Sequence, residues 1–275
     1  MSKNLEKINV PDSLKKVKNI IGVFSAKGGV GKSAVSLNLA LSLQEKGLKV
    51  GLADADIYGP SQTILMHASN QQVEVKDQKF LQPVNKSGIK FMSMGLISDD
   101  KMPVIWRGPM VSGAVLQLIS QTNWQELDYL IVDTPPGTGD VQLTLLQKIP
   151  LKGALIITTP EDVSVADTKK GIEMILKLEV PLLGLIENMS WFSPKESNKK
   201  YFLFGKDGGK DLSVDYKIDL ISQLPLIETE GLNVIYEDKD MRDEFDQISS
   251  FVVKKIDDLT EELSKTIPQI NLPND

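Results

Sequence analysis

The chain has 275 residues, 41% of them hydrophobic and 25% charged, which is typical of a folded protein with a sizeable core. Its formal net charge of −6 argues against a broad nucleic-acid-binding face, because such a face needs clustered lysine and arginine. The chain contains no cysteine, which excludes disulfides and thiolate metal sites within it.

The start of the chain shows no targeting pattern. Residues 1–19 are polar and lysine-rich and lack the apolar core of a secretory signal. No run reaches the ~18 apolar residues that a membrane span needs. We therefore expect a cytoplasmic protein that binds neither a membrane nor a nucleic acid. We predict an N-terminal arm at residues 1–18, a single domain at 19–267 and a tail at 268–275.

The most informative stretch covers residues 24–33, with the sequence FSAKGGVGKS. The apolar residues 20–24 before it predict a buried strand, and residues 33–45 after it predict a helix that Gly47 ends. Strand, glycine-rich turn and helix form the context of a phosphate-binding loop. Ala26 replaces the first glycine of the common pattern, and a flexible surface turn is the alternative interpretation.

Glycines allow such a loop to adopt positive φ and to present its amides, at a helix N-terminus, to phosphate oxygens. We expect a nucleotide to contact the following residues: Gly28, Gly29, Val30, Gly31, Lys32, Ser33 and Ala34. Within this set, Lys32 is expected to reach the β- and γ-phosphates and the Ser33 hydroxyl to hold Mg²⁺.

Strands and helices alternate after this loop. The predicted strands are 49–53, 89–94, 128–132, 153–159, 182–187 and 219–224. The predicted helices are 110–121, 140–149, 165–178 and an amphipathic helix through 245–263. Apolar strands separated by helices indicate an α/β fold, a mainly parallel P-loop NTPase sheet with helices on both faces. The last helix is expected to pack on the sheet, since its acidic polar face disfavours an anionic membrane.

Acidic residues follow two of the predicted strands, at the edge where parallel sheets bind their ligands. Asp54 is expected near the metal, and Asp56 is expected to orient or deprotonate an attacking water. Asp133 ends its strand where a Walker-B acid binds Mg²⁺, and the N–H of Gly137 can approach a γ-phosphate. For Asp54 and Asp56 the alternative is an Asx turn that caps the helix after Pro60.

Lys27 is a second lysine inside the loop, five residues before Lys32. One chain does not need it to hold its own phosphates. We expect it to act as a finger that reaches the nucleotide of a second copy, by analogy with an arginine finger. The alternative is a solvated loop lysine.

Residues 26–33 resemble the deviant Walker A loop of the MinD/ParA class of dimerising ATPases. Within that class the chain is similar to the Mrp/ApbC-type iron–sulfur cluster carriers. The segments that carry this likeness are DADIYGPS at 54–61, IWRGPM at 105–110, DTPPGTGD at 133–140 and ENMS at 187–190.

The resemblance implies a homodimeric ATPase with MgATP in each subunit. It assigns roles to five residues already singled out: the partner's phosphates to Lys27, phosphate and Mg²⁺ to Lys32 and Ser33, water activation to Asp56, and the Walker-B role to Asp133. It also implies that Asn188 and the segment around Pro225 contact adenine, a task that suits an amide because it can donate and accept. The alternative for Asn188 is a turn cap at a strand end.

The family usually carries a Cys-Pro-x-Cys segment that bridges a [4Fe–4S] cluster across the dimer, which implies a role in cluster assembly or transfer to apo-protein clients. Here Ser193 and Ser197 stand about where the sulfurs would be. Since four cysteines ordinarily hold such a cluster, we do not expect this chain to carry one directly. Trp106 and Arg107 are expected either in a functional loop or, for Trp106, in the dimer interface.

Two other functions are compatible with these motifs. A positioning or partitioning ATPase would use ATP to bind a membrane or DNA, although the acidic charge disfavours both. A third possibility is a fold that keeps a nucleotide only as a structural ligand, without turnover.

Overall fold

The structure is a computed structural model that describes residues 10–57, 59–76, 80–97, 108–194, 197, 199–228 and 234–266. Trp106, Arg107 and the predicted tail at 268–275 lie outside the described residues, as do residues 1–9 of the predicted arm.

The alternation of strands and helices predicted from the sequence is present. The strands are β1 Val17–Phe24, β2 Val50–Asp54, β3 Val75–Lys76, β4 Phe80–Leu81, β5 Val84–Lys86, β6 Ile89–Ser93, β7 Leu127–Asp133, β8 Gly153–Thr158, β9 Leu182–Glu187 and β10 Leu220–Gln223. The helices are α1 Lys32–Glu45, α2 Ser61–Leu65, α3 Gly108–Gln121, α4 Asp140–Lys148, α5 Asp162–Lys177, α6 Gly208–Tyr216, α7 Val234–Glu237 and α8 Lys239–Thr266.

One sheet organises the molecule, with strand order β10-β9-β8-β1-β7-β2-β6-β5. Every neighbouring pair is parallel except β5 and β6. The exception follows from a two-residue turn, Ser87-Gly88, in which both residues have positive φ (49° and 75°). Such turns join antiparallel strands directly, whereas parallel strands need a longer crossover. The predicted mainly parallel α/β sheet is confirmed.

Hydrophobic cores lie on both faces of this sheet. In β7, Tyr129 and Ile131 belong to the core formed with α1, α7 and α8. Leu130 and Val132 belong to the opposite core, formed with α3, α4, α5 and α6. Successive strand residues point to opposite faces, so a strand buried on both sides reads as one continuous apolar run. This explains why the strands were visible in the sequence and confirms helices on both faces.

Some elements were not predicted. The short helix α7 and the strands β3, β4 and β5 lack a clear periodic pattern, and α6 begins with two glycines, which are poor helix formers. The first strand begins at Val17, two residues inside the predicted arm, and Leu14 before it is buried.

The predicted C-terminal helix is present and longer than expected. It packs on α1 and the sheet through buried Phe245, Ile248, Val252 and Ile256. Across the described ranges, no helix combines the length and the apolar character that crossing a membrane requires.

Candidate active site

The glycine-rich turn after β1 has the backbone geometry of a phosphate-binding loop. Gly29 and Gly31 have φ values of 81° and 83°, in the left-handed region that favours glycine. Gly31 is also the residue before α1, so the loop leads directly into a helix N-terminus. A Cβ atom at Gly31 would lie 2.2 Å from Nδ2 of Asn188, whose amide donates to the Val30 carbonyl at 2.9 Å. The loop therefore contacts Asn188, the residue after β9, directly, and only glycine fits at position 31.

A cavity of about 440 Å³ opens against this loop. This size falls in the usual range of small-molecule sites. Its wall contains the predicted nucleotide contacts Gly28, Gly29, Val30, Gly31, Lys32, Ser33, Ala34, Asn188 and Pro225. The fold thus brings together residues from the loop after β1, from α1 and from the ends of β9 and β10. Asp56 and Ser61 also line the cavity, whereas Gly137 does not.

Asp133 lies beside the loop, at the end of β7, and is completely buried. Its Oδ1 accepts hydrogen bonds from Nζ of Lys32 and, at 3.1 Å, from Oγ of Ser36. Its Oδ2 accepts from Nε2 of Gln62 at 2.8 Å. The predicted Walker-B carboxylate is therefore held by three donors, one of which is the loop lysine.

Asp54 is the register partner of Asp133 on the neighbouring strand β2 and is equally buried. Its oxygens accept from the N–H groups of Asp56 (3.1 Å) and Gln62 (3.3 Å) and from Oγ of Ser93 (3.0 Å). Burial, and then the Asp133 carboxylate, raise the pKa of Asp54 to about 8. Two buried acids side by side favour either a proton or a cation between them.

These residues fit a Mg²⁺ ion. Ser33 lies on the cavity wall, and the Gln62 amide joins its carbonyl to the buried carboxylate of Asp133. Hydroxyl and carboxylate oxygens are ligands suited to this hard cation. Gln62 contacts both acidic strands, and its side-chain oxygen is buried without a hydrogen-bond partner among the described residues. An unsatisfied acceptor at this point is consistent with a hydrated ion.

Asp56 and Gly137 lie at the edges of the site. Asp56 is half-buried on the cavity wall, and its Oδ1 accepts from the N–H of Gly59 at 3.3 Å. The N–H of Gly137, predicted to approach a γ-phosphate, donates to the Ser25 carbonyl at 2.9 Å. A contact between that N–H and phosphate would require this hydrogen bond to open.

Lys27 points away from the phosphate loop of its own chain. Its Nζ pairs with Oε2 of Glu161, at the start of α5, at 2.6 Å, and 36% of the lysine side chain is exposed. The lysine is thus neither in its own cavity nor simply solvated.

Four side chains that hydrogen-bond to the predicted acids or to Lys27 were not predicted from the sequence: Ser36, Gln62, Ser93 and Glu161. Ser36 lies one helical turn after Lys32, so the helical period could have indicated it. Ser93 ends β6 in the same way that Asp54 ends β2, so its position at a strand end could have indicated it. Gln62 and Glu161 carry no such signal, because their partners are distant in the chain.

Ser193 and Ser197, which stand about where the family's cluster-binding cysteines would be, do not fit an iron–sulfur cluster. Oγ of Ser193 donates to the carbonyls of Ser197 (3.1 Å) and Lys199 (3.3 Å). Oγ of Ser197 accepts from the N–H of Lys199 at 3.1 Å. Both hydroxyls are engaged in shaping the loop, and the chain has no thiolate to offer.

A family model of the ParA group, described as the NUBPL iron-transfer P-loop NTPase, matches residues 16–267. The chain belongs to this family. The match confirms the resemblance to iron–sulfur cluster carriers that the loop and the strand-end motifs indicated.

Two similar proteins carry the name iron–sulfur cluster carrier protein. The iron–sulfur cluster carrier protein of Pseudomonas fragi is 49% identical over 78% of this chain and 75% of that protein. The carrier of the same name from Haemophilus influenzae is 46% identical over 81% of this chain but only 60% of its own length.

Among solved structures, a nucleotide-binding protein from Archaeoglobus fulgidus in complex with ADP is 32% identical. It covers 92% of this chain and 93% of its own, with a TM-score of 0.69. MinD cell-division proteins match at 17% and 19% identity, which shows a shared fold alone.

Proposed function

We propose that this NUBPL-family NTPase is a Mg²⁺-dependent ATP hydrolase that works as a homodimer in iron–sulfur cluster assembly. The observation that carries the proposal is the cavity at the phosphate-binding loop, with Asp54 and Asp133 paired in register beside it. The cavity draws on residues from Ser25 to Phe245, which favours one working domain across 19–267.

The loop amides and Lys32 bind the triphosphate. Nζ of Lys32 is paired with Asp133, so this lysine would exchange one anion for another when phosphates enter. Asp133 and Asp54, with the Ser33 hydroxyl, would then hold Mg²⁺ in place of the lysine. The bound cation supplies neutralisation of the charge that develops on the phosphate oxygens.

Asp56 is the candidate base. Its carboxylate would accept a proton from water as the water oxygen bonds to the γ-phosphorus and ADP departs with the bond electrons. The rearranging Gly137 turn would follow the γ-phosphate as it leaves. Asn188 and Pro225, which line the cavity at the ends of β9 and β10, would contact adenine.

Lys27 supplies the case for a dimer. A loop lysine whose side chain points away from its own cavity is suited to bind the phosphates held by a second copy of the chain. For this transfer it must release Glu161, and an exposed pair of this kind is weak enough to exchange.

The iron–sulfur cluster would be cargo of the assembly process, because the chain has no cysteine with which to bind it. We infer that a client protein with its own thiolates holds the cluster, while this chain contributes nucleotide-dependent dimerisation in the cytoplasm.

Mixed dimers test the proposal. Lys27→Ala and Lys32→Ala should each lose ATP turnover, by about 10³-fold for a residue that acts as a finger. When the two are mixed, one site of each heterodimer regains both lysines. For random exchange of subunits in a two-fold dimer, about a quarter of the wild-type turnover should return.

Lys15→Ala is the matched control, since Lys15 is an exposed lysine that pairs with Asp12 and does not line the nucleotide cavity. It should keep full turnover. Unchanged turnover in Lys32→Ala would defeat the assignment of the site. A mixture as inactive as its components would leave ATP hydrolysis intact as a proposal but remove the role of Lys27 across the dimer.

A further inference from the structure

One buried side chain connects three parts of the candidate site. Gln62, in the first turn of α2, has no exposed surface. Its Nε2 donates to the Ser33 carbonyl and to Oδ2 of Asp133, both at 2.8 Å. Its main-chain N–H donates to Oδ2 of Asp54 at 3.3 Å. The same residue therefore contacts the phosphate loop and both acidic strands.

The orientation of the Gln62 amide follows from its neighbours. The Ser33 carbonyl and the Asp133 carboxylate are both acceptors, so the NH₂ group must face them and the oxygen must face elsewhere. That oxygen, Oε1, is buried, and no group in the part of the chain that the structure describes donates a hydrogen bond to it. Buried side-chain acceptors of this kind are rare, because the lost hydration is not replaced.

We propose that Gln62 is a positioning residue of the Mg²⁺ site, an inference that rests on the proposed function. Its NH₂ group keeps Asp133 aligned after Lys32 leaves that carboxylate for the phosphates. Its Oε1 accepts a hydrogen bond from a water of the metal's hydration shell. Mg²⁺ suits this arrangement, since it usually retains several waters and few protein ligands.

A purely structural role makes a different prediction. If Gln62 only tied α2 to the loop, its loss would lower stability and weaken nucleotide binding equally with and without metal. If it positions the metal site, its loss should change the Mg²⁺ dependence selectively, since groups that orient metal ligands affect metal affinity.

The experiment measures binding of a fluorescent ADP analogue to the full chain in EDTA and then during a titration with Mg²⁺. Gln62→Met keeps the length of the side chain but removes both hydrogen-bonding groups. We expect unchanged ADP affinity in EDTA and a Mg²⁺ midpoint raised about 10- to 100-fold. Should this variant not fold, Gln62→Asn, which keeps the amide one carbon too short, should raise the midpoint in the same direction.

Gln142→Met is the control, because Gln142 is also a buried glutamine whose amide donates to loop carbonyls, those of Ser25 and Pro135. It should keep the wild-type Mg²⁺ midpoint. A wild-type midpoint in Gln62→Met, or equal losses of ADP affinity with and without Mg²⁺, would overturn the inference alone. A wild-type protein whose ADP binding ignores Mg²⁺ would defeat the proposed function and this inference with it.

Discussion

Asp54 and Asp133 define the chemistry of the candidate site at the scale of single residues. They face each other on adjacent parallel strands, and neither has exposed surface. Burying two like charges together is unfavourable without a counter-charge. Lys32 supplies it for Asp133, while the pKa of Asp54 rises to about 8. We therefore propose that the site exchanges a proton and a lysine for a divalent cation.

A pH dependence follows for the nucleotide-free protein in EDTA. The folded-state pKa of Asp54, about 8, lies above its ordinary value of 3.8, so the folded state keeps a proton that the unfolded chain releases. The stabilising contribution is full below the unfolded value and is lost as the pH rises toward the folded one. In urea titrations between pH 5 and 8, the stability of Asp54→Asn relative to wild type should increase with pH.

The Asp54 carboxyl is the only titratable group removed in that comparison. Parallel curves for variant and wild type across this range would show that Asp54 does not retain its proton.

At the scale of elements, the phosphate-binding loop depends on one close approach. Gly31 links the loop to α1 and leaves room for the amide of Asn188, which follows β9. Two elements far apart in the chain thus share one small volume, and a larger side chain at either position would separate them. The loop and Asn188, the predicted adenine contact, therefore depend on each other for their positions.

Gly31→Ala should weaken both stability and nucleotide binding. Positive φ costs a non-glycine residue about 1–2 kcal/mol, and the new methyl group would also displace the Asn188 amide from the Val30 carbonyl. Gly47→Ala is the control, because Gly47 has a similar φ of 81° and no atom within 4 Å of the added Cβ.

Thermal unfolding should show a loss in both variants, while ADP titration should show weaker binding in Gly31→Ala alone. Equal ADP affinity in the two variants would show that the position of Asn188 does not affect nucleotide binding.

At the scale of the whole molecule, the C-terminal helix α8 forms part of the cavity wall. Phe245 of α8 is buried in the core beneath α1 and also lines the nucleotide cavity, together with Val234 and Met241. Because these residues come about 200 positions after the loop, the cavity exists only once the two ends of the chain have packed together. Folding of the C-terminal helix and binding of the nucleotide are therefore expected to be coupled.

Phe245→Ala should destabilise the fold by about 3–5 kcal/mol, the usual cost of removing a buried aromatic ring. It should also weaken ADP binding, since one wall of the cavity is lost. Leu263→Ala, on the same helix at a position that is 40% exposed, should change stability by about 0.5 kcal/mol or less and leave ADP affinity unchanged. Chemical denaturation with and without ADP measures both effects, and wild-type ADP affinity in a folded Phe245→Ala protein would contradict the coupling.

The sequence by itself was sufficient for the class of fold, the glycine-rich loop and the family. Strands buried on both faces form uninterrupted apolar runs, and loop glycines and strand-end acids are signals that short stretches of chain contain. The hairpin at β5 and the helix α6 were missed because their local patterns are short or begin with poor helix formers.

Only the tertiary structure decided which distant groups meet. The pairing of Lys27 with Glu161, the bridge from Gln62 to Asp133 and the position of Phe245 beside the loop each join residues more than 70 positions apart. No local period encodes such contacts, because they depend on the order of strands in the sheet and on the crossovers between them. The motifs indicated the chemistry, and the packing determined which side chains surround it.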